Sequence, residues 1–255
     1  MKRAAISKLI YQNIKNHQLQ LKEQFLASKN QIGYFYLDAL LPEEIALKIY
    51  NKFPNTAYQM NAYDSLLEEV VFAFQDKKVV QLVSEICGIK ELLPDPNLYA
   101  GGVSLMSKKS FLNPHLDNSH DKDLENWRVL NLLYYVSPDW KSENGGNLEL
   151  WPHGLEKKQL TIESKFNRLV VMATHQNSWH SVSKITANQV RCCVSNYYFS
   201  KDPLLSSDAF HVTTFRGWPS EKLKDVFLQI DNKIRSSVRF LFKKGLRENP
   251  HQYKK

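Results

Sequence analysis

The sequence predicts an α+β protein with a mainly β core, a sandwich or jelly roll, flanked by helices at both ends of the chain. From Leu98 to about residue 200 the chain divides into short apolar runs separated by turn signals, which is typical of antiparallel strands. On either side, apolar residues recur at helical spacing. No Pro/Gly/Ser-rich linker divides the chain, so we expect one domain over 1–255. It comprises a helical flank over 1–97, a β core over 98–200 and a helical extension over 201–255.

The N-terminal flank begins with a predicted helix over residues 4–27, whose isoleucines and leucines form one stripe. A short aromatic strand is predicted over 33–38. Pro42 then opens a second helix, because proline suits the first helical position and the two glutamates after it complement the helix dipole. We expect that helix to end before Pro54.

The rest of the flank is predicted as a loop, a strand and a helix. Residues 55–66 are polar and are interpreted as a loop. The apolar run Val70–Phe74 is interpreted as a strand. A helix over Asp76–Cys87 is expected to end at Gly88, because glycine readily adopts the left-handed conformation that closes a helix.

Seven strands are predicted in the core, and Asn144–Asn147 (Asn-Gly-Gly-Asn) predicts a tight turn between two of them. These strands lie near 98–106, 128–136, 147–151, 159–163, 168–172, 178–184 and 190–199. After Pro203 the pattern becomes helical again, and Ser220 is a suitable N-cap. The apolar positions of this last helix are Leu223, Val226, Phe227, Ile230, Ile234, Val238 and Leu241.

The composition limits the class of protein. Forty-three per cent of the residues are hydrophobic, which is enough for a substantial core. No apolar run approaches the length of about 18 residues that a membrane span needs, and no secretory signal follows Met1. Three cysteines are too few for a disulfide framework. These features favour a cytoplasmic protein.

The net charge of +8 belongs to the two ends of the chain. Residues 1–30 carry six Lys/Arg and one acid, residues 233–255 carry eight and one, and the remainder is slightly acidic. A uniformly basic core would have favoured nucleic acid, which this distribution makes an unlikely partner. The basic ends are expected to be solvated helix faces, with contact to an acidic partner as the alternative.

Three residues in the core form a candidate metal site. His115 and Asp117 are two residues apart, so their side chains share one face of an extended segment. A histidine on a neighbouring strand would complete the set, and His180 is favoured over His175 because it begins a predicted strand. Asp121 and Asp123 could compete with Asp117 but lack its spacing to His115. Two imidazoles and one carboxylate suit Fe(II), with positions left for substrate and oxygen.

Zinc is the alternative metal, but structural zinc sites are usually cysteine-rich and closed. Arg191 follows His180 closely and leads into an apolar run, so we expect its guanidinium to point into a cavity. There it could bind a carboxylate through two hydrogen bonds. A zinc hydrolase has no need of such a cation, so iron is favoured.

Several segments of the core together resemble the Fe(II)/2-oxoglutarate-dependent dioxygenases of the prolyl hydroxylase superfamily. They are His115–Asn118 (His-Leu-Asp-Asn), the run from Arg128 to Trp151 with its Gly145-Gly146 pair, and Arg191 followed by Ser195–Phe199. Within that superfamily the pattern is most similar to the oxygen-sensing prolyl hydroxylases and their bacterial and yeast relatives. The resemblance covers about residues 98–200.

The resemblance implies a double-stranded β-helix core and a function for each matching residue. His115, Asp117 and His180 would bind Fe(II), and O2 would be the other substrate. Arg191 would bind the distal carboxylate of 2-oxoglutarate. The other residues implied in the cosubstrate pocket are Ser195, Tyr135, Asn131 and Leu148, and those implied to face the prime substrate are Arg128 and Tyr197.

The sequence departs from this pattern at two pocket positions and in the flanks. Leu105 stands where the oxygen sensors have tyrosine, and Asn131 where threonine is usual. The segment 55–69 and the C-terminal helix match nothing in prolyl-peptide recognition. We therefore predict an enzyme that hydroxylates an unactivated C–H of a small molecule, such as an amino acid, a sugar-linked group or a natural-product intermediate. The alternatives are a prolyl hydroxylase acting on a protein or peptide and a non-catalytic binding module.

Overall fold

The computed structural model describes residues 1–54, 64–99 and 101–241. Over these ranges the chain forms six α-helices and eleven strands. The helices are α1 (Arg3–Asn16), α2 (Gln18–Ser28), α3 (Glu43–Tyr50), α4 (Ser65–Ala73), α5 (Lys77–Cys87) and α6 (Lys222–Leu241). The strands are β1 (Tyr34–Leu37), β2 (Leu93–Pro94), β3 (Gly102–Met106), β4 (Leu112–Leu116), β5 (Trp127–Tyr135), β6 (Leu148–Leu150), β7 (Leu160–Ile162), β8 (Arg168–Ala173), β9 (His180–Val182), β10 (Arg191–Ser200) and β11 (Thr214–Phe215).

The strands form two antiparallel sheets. The six-stranded sheet has the order β1-β8-β5-β10-β2, with β3 also paired to β10. The five-stranded sheet has the order β11-β4-β9-β6-β7. Buried side chains from both sheets pack together, as expected for two stacked sheets: Tyr135, Leu148, Leu150, Ile162, Val170, Met172 and Cys193. This arrangement fits the predicted jelly roll.

Alternation along β5 and β10 separates two environments, because successive side chains of a strand point to opposite faces. The even-numbered Leu132 and Val194 pack with the N-terminal helices, whereas the odd-numbered Tyr135 and Cys193 pack toward the second sheet. The six-stranded sheet is therefore covered by helices on one face and by the other sheet on the opposite face. The odd-numbered residues of β10 share the inner face, as the sequence predicts.

The N-terminal helices differ from the prediction at two places. His17 adopts φ −107° and ψ 11°, so the single helix expected over 4–27 is two helices. The strand predicted at Val70–Phe74 is wrong, since this segment belongs to α4 and its end. The Asp64 side chain accepts a hydrogen bond from the Leu66 backbone N–H and caps α4, and Val70 and Val71 are buried among the helices.

Other predicted elements are confirmed. The strand over 33–38 is β1, the helix opened by Pro42 is α3, and α5 ends at Gly88 in the left-handed conformation (φ 64°). Most of the loop predicted at 55–66 lies outside the described residues, and its last two residues begin α4. The seven core strands are all present, although residue 100 lies outside the described part of the strand predicted at 98–106.

Three strands were not predicted: β2, β4 and β11. Each is short or interrupted by proline, and so gives little alternation to detect. The predicted extension around His115 is β4, which ends at Leu116, one residue before Asp117.

The C-terminal helix forms where predicted but faces the opposite way from what its pattern suggests. A stripe of apolar side chains normally packs against the protein. In α6 the stripe residues from Leu223 to Ile234 are exposed, whereas Asn232 on the opposite side is buried. Within the described ranges, no helix combines the length and the apolar composition that crossing a membrane requires.

Candidate metal centre and cosubstrate pocket

His115, Asp117 and His180 come together at one end of the five-stranded sheet, and their ligand atoms all lie within 4.8 Å of one another. The Nε2 atom of His115 is 3.9 Å from Oδ1 of Asp117, and Nε2 of His180 is 3.7 Å from Oδ2 of the same carboxylate. Both histidines are buried. Three donor atoms that converge on one point leave the opposite side open, as in a two-histidine, one-carboxylate iron site.

Strand pairing creates this convergence. His115 on β4 is the register partner of His180 on β9, so the two imidazoles extend from the same face of adjacent strands, with ring centroids 4.1 Å apart. Asp117 follows directly after the end of β4 and keeps the same side. The period of two in the sequence and the pairing of two distant strands are therefore sufficient to build the cluster.

Backbone carbonyls orient both imidazoles. Nδ1 of His115 donates to the Asn113 carbonyl at 2.8 Å, and Nδ1 of His180 donates to the Ser178 carbonyl at 2.9 Å. A carbonyl can only accept, so each ring carries its proton on Nδ1 and presents the lone pair of Nε2 toward the cluster. This arrangement is typical of metal-binding histidines.

Burial and neighbouring charges keep the metal-binding forms of these groups. Burial, together with the nearby His180, lowers the pKa of His115 to about 4, so this ring is neutral at neutral pH. Burial alone would raise the pKa of Asp117, but His180, Arg128 and His115 outweigh that effect and lower it. His115 therefore offers a neutral imidazole and Asp117 an ionised carboxylate, the forms in which these groups bind a divalent cation.

Two further side chains contact Asp117. Nδ2 of Asn131 donates to Oδ2 of Asp117 at 3.2 Å. A guanidinium nitrogen of Arg128 is 3.9 Å from Oδ1, and its carbon lies 3.9 Å from the centroid of the Tyr197 ring. Arg128 and Tyr197, the two residues for which the resemblance implies contact with the prime substrate, thus lie together beside the metal cluster.

The predicted cosubstrate residues line a second region between the two sheets. The guanidinium of Arg191 donates to the Gly146 carbonyl at 2.8 Å and lies 5.3 Å from the Tyr135 ring. Leu148 is buried against Tyr135, and the Ser195 hydroxyl is 3.4 Å from the Gly102 carbonyl. These residues come from β5, β6 and β10, far apart in sequence.

Gly146 makes room for Arg191. Its φ is +69°, and a Cβ at this position would lie 2.9 Å from Cδ of the arginine. Any larger residue would therefore be strained and would displace the guanidinium. The glycine pair that predicts a turn also sets the position of the cation.

Unsatisfied polar atoms in this region provide a test of whether a ligand fits. Oη of Tyr135, Nε of Arg191 and Oδ1 of Asn131 are buried, and none has a hydrogen-bond partner within the described part of the chain. Buried polar groups are nearly always paired in folded proteins. A phenol and a guanidinium donor without partners match a carboxylate ligand, so the residues fit 2-oxoglutarate.

The side of the cluster opposite the cosubstrate region is covered by residues 203–215. In this segment Phe215 stacks on His115, and Phe210 stacks on Trp127 with ring centroids 4.0 Å apart. Asp208 accepts from the Gln176 backbone N–H at 3.0 Å, and His211 exchanges hydrogen bonds with Ser119. Together with Asp117, Arg128 and His175, residues of this segment line a narrow pocket of about 10 Å³, room for about one water molecule.

Rival ligands lie elsewhere. His175 is in the wall of that pocket, where its Nδ1 accepts from the Asn177 backbone N–H, and it is not part of the cluster. Asp121 accepts hydrogen bonds from the Glu125 backbone N–H and the Asn126 side chain. Sequence reasoning missed Phe215, Phe210 and Asp208, because no motif or spacing connects a loop at this distance to the cluster.

Comparison with known protein families matches the core of the chain to one of them. Residues 101–199, which contain all ten predicted site residues, match the model of the 2OG-Fe(II) oxygenase superfamily. No curated protein sequence matches the chain significantly.

Similar solved structures come from several organisms, and at their low identity they show the fold alone. A prolyl 4-hydroxylase from Phytophthora capsici is 17% identical, with a TM-score of 0.56 over 92% of this chain and 77% of that one. HygX from Streptomyces hygroscopicus with nickel and 2-oxoglutarate bound is 11% identical, with a TM-score of 0.51 over 69% of this chain and 86% of that one. The metal cluster and the match over residues 101–199 together indicate a 2OG-Fe(II) oxygenase core, that of an enzyme whose cofactors are Fe(II) and 2-oxoglutarate.

Proposed function

We propose that this chain is a hydroxylase that acts on an unactivated C–H bond of a small molecule. The observation that carries this proposal is the segment 203–215, which lies over one side of the metal cluster with Phe215 stacked on His115. A peptide substrate needs an open groove beside the metal, whereas a small molecule needs an enclosed pocket. Here residues 203–215 pass over the face that a peptide would have to occupy.

In this proposal the iron ligands are Nε2 of His115, a carboxylate oxygen of Asp117 and Nε2 of His180. We further propose that the two sheets form the double-stranded β-helix of this superfamily, and that residues 1–255 act as one domain. When bound, Fe(II) with 2-oxoglutarate and O2 supplies the oxidation of the C–H bond, and 2-oxoglutarate is converted to succinate and CO2.

The protein's contribution to this reaction is positioning and shielding. Arg191 binds the distal carboxylate of 2-oxoglutarate, and Tyr135 and Ser195 lie within its pocket, with Leu148 as an apolar wall. Asn131 fixes the Asp117 carboxylate, to which it already donates. Arg128 and Tyr197 face the substrate, and the aromatic residues of the 203–215 segment exclude water.

A prolyl hydroxylase acting on a peptide is the second candidate, supported by the sequence resemblance at Arg128 and Tyr197. The covering segment does not favour it. A non-catalytic module is the third, and an intact set of three ligand residues with oriented lone pairs does not favour that role.

Anaerobic titration of the apo-protein with Fe(II) and 2-oxoglutarate tests the cofactor assignment. We expect the weak visible charge-transfer band of the chelate in the wild type and in His175→Gln, and its loss in Asp117→Ala. The His175 variant is the matched control, since it removes a nearby histidine outside the cluster. A band that persists in folded Asp117→Ala would contradict the assignment.

Succinate release tests the substrate class. We expect free amino acids and similarly small acids or amides to stimulate succinate formation, and proline-containing peptides to have no effect. Stimulation by peptides alone would establish the second candidate. A protein that forms the chelate but releases no succinate with substrates of either kind would favour the binding module.

A further inference from the structure

The C-terminal helix α6 carries an exposed apolar stripe. Residues on this face recur at intervals of three and four, the helical period. Leu223 is 80% exposed, Phe227 72% and Ile234 59%, and Val226 and Ile230 are also more than half exposed. Contiguous apolar surface of this kind marks an interaction site in a folded protein.

The orientation of α6 is fixed by polar contacts on its other face. Asp225 binds the Arg216 guanidinium through both carboxylate oxygens, at 2.6 and 2.8 Å. The buried Asn232 side chain accepts from the Phe215 N–H at 3.1 Å and donates to the Phe215 carbonyl at 2.6 Å. Arg235 donates to the Thr213 carbonyl at 2.9 Å. The helix therefore cannot turn its stripe inward without breaking these bonds.

Two exposed lysines border the stripe on one side. At about 100° per residue around a helix, Lys222 and Lys233 fall on this edge, whereas Lys224 on the other edge donates to Asn113 and Glu221. Residues 222–255 contain ten Lys/Arg and three acids, a net charge of +7, so this segment is the more basic of the two basic ends of the chain. The apolar stripe and this basic charge thus coincide on one segment.

We propose that α6 binds the surface of a membrane rich in anionic phospholipid, lying parallel to it with the stripe among the acyl chains. A strong apolar face on an otherwise polar helix, with lysines beside it, is the feature of helices that bind in this way. The long side chains of Lys222 and Lys233 reach the headgroups while their stems stay in apolar surroundings.

Charge complementarity favours an anionic membrane over a second copy of the chain or a nucleic acid as the partner of α6. A second copy of the chain would bring another excess of positive charge against the first, which opposes pairing. Nucleic acid would satisfy the charge but would leave the stripe in water. An anionic bilayer satisfies both the stripe and the lysines.

Vesicle co-sedimentation with the full chain tests the proposal, using phosphatidylcholine alone and phosphatidylcholine with about one-third phosphatidylserine. We expect binding to the anionic vesicles that weakens as salt is raised. Phe227→Asp should lower the vesicle affinity by at least about tenfold, since it places a charge in the centre of the stripe. Ser236→Asp, which adds the same charge to an exposed position off the stripe, should cost only a few-fold.

Three results would overturn the proposal: no wild-type binding to anionic vesicles, equal binding by Phe227→Asp, or binding that does not depend on lipid charge. Sedimentation velocity identifies the main competitor. A concentration-dependent dimer that is lost in Phe227→Asp, with no vesicle binding, would assign the stripe to a second copy. Circular dichroism of each variant confirms that α6 remains folded.

Discussion

His115 and Phe215 are register partners across the pair of strands β4 and β11, and their rings stack with centroids 5.2 Å apart and planes inclined by 28°. A residue far along the chain thus supplies one wall of the metal cluster. The hydrophobic shell around a metal site controls solvent access and the orientation of its ligands. Phe215 is the part of that shell in direct contact with a ligand ring.

Phe215→Ala should therefore weaken Fe(II) binding by about tenfold, because it removes the ring that holds His115 and excludes water from it. Phe215→Leu keeps most of the apolar volume, so its Fe(II) affinity should fall much less. Anaerobic metal titration of both variants gives the affinities. If both variants bind Fe(II) with the wild-type affinity, the Phe215 ring has no effect on metal binding.

Asn131→Ala should also weaken metal binding by about tenfold, since Asn131 holds the Asp117 carboxylate through its Nδ2 hydrogen bond. The sequence resemblance predicted Asn131 as a cosubstrate residue instead. The two roles separate in a titration. A changed KM for 2-oxoglutarate with unaltered Fe(II) affinity would assign Asn131 to the cosubstrate and not to the metal.

Tyr135→Phe should make the apo-protein more stable and weaken the enzyme's use of 2-oxoglutarate. Removing a buried hydroxyl without a partner should stabilise the fold by about 1 kcal/mol, while the loss of a hydrogen bond to a carboxylate should raise the KM for 2-oxoglutarate roughly tenfold. Urea unfolding and initial rates measure the two effects.

The neighbouring Tyr134 is a matched control for Tyr135, because its hydroxyl donates to Oδ1 of Asn167 at 2.8 Å on the opposite face of β5. Tyr134→Phe should destabilise the protein and leave the KM unchanged. If the free energy of unfolding rises in Tyr135→Phe and falls in Tyr134→Phe, the unpaired Tyr135 hydroxyl is assigned to the pocket. A change in unfolding free energy in the same direction in both variants would contradict that assignment.

Asp95 makes the stability of the metal-free protein depend on pH. Burial raises the pKa of this carboxyl to about 6 from 3.8, although Arg128 opposes the shift. The folded state therefore binds the proton more tightly than the unfolded state, so this contribution to stability is complete below about pH 4 and is lost as pH rises through 6.

Asp95→Asn should consequently stabilise the protein at pH 8, on the order of 2 kcal/mol, and change little at pH 4. Urea unfolding of both proteins at the two pH values measures this difference. An asparagine variant that is less stable than the wild type at pH 8 would show that the ionised carboxylate is needed, for instance by Arg128.

The sequence was sufficient for the core strands and for the His115–Asp117 pair because both depend on short-range patterns. The spacing of His115 and Asp117 sets their common face whatever the rest of the chain does. The choice of His180 over His175 followed from the strand pattern, and the pairing of His115 with His180 agrees with it.

The failures have physical causes as well. Val70–Phe74 contains β-branched and aromatic residues, which favour strands locally, but burial among the helices and the Asp64 cap decide the outcome. For α6 the helical spacing of the apolar residues predicted the helix correctly, but this spacing does not show which face of the helix packs against the protein. That choice depends on Asp225 and Asn232, whose partners lie in a loop and a two-residue strand without a sequence signal.

Phe215 follows His180 by 35 residues in the chain, yet it covers His115 through a strand of only two residues. Because so short a pairing is separated at much lower cost than a whole sheet, β11 can part from β4 while both sheets stay folded. Exchange of the metal ion from this side would then depend on the stability of one two-residue strand and not on that of the whole fold.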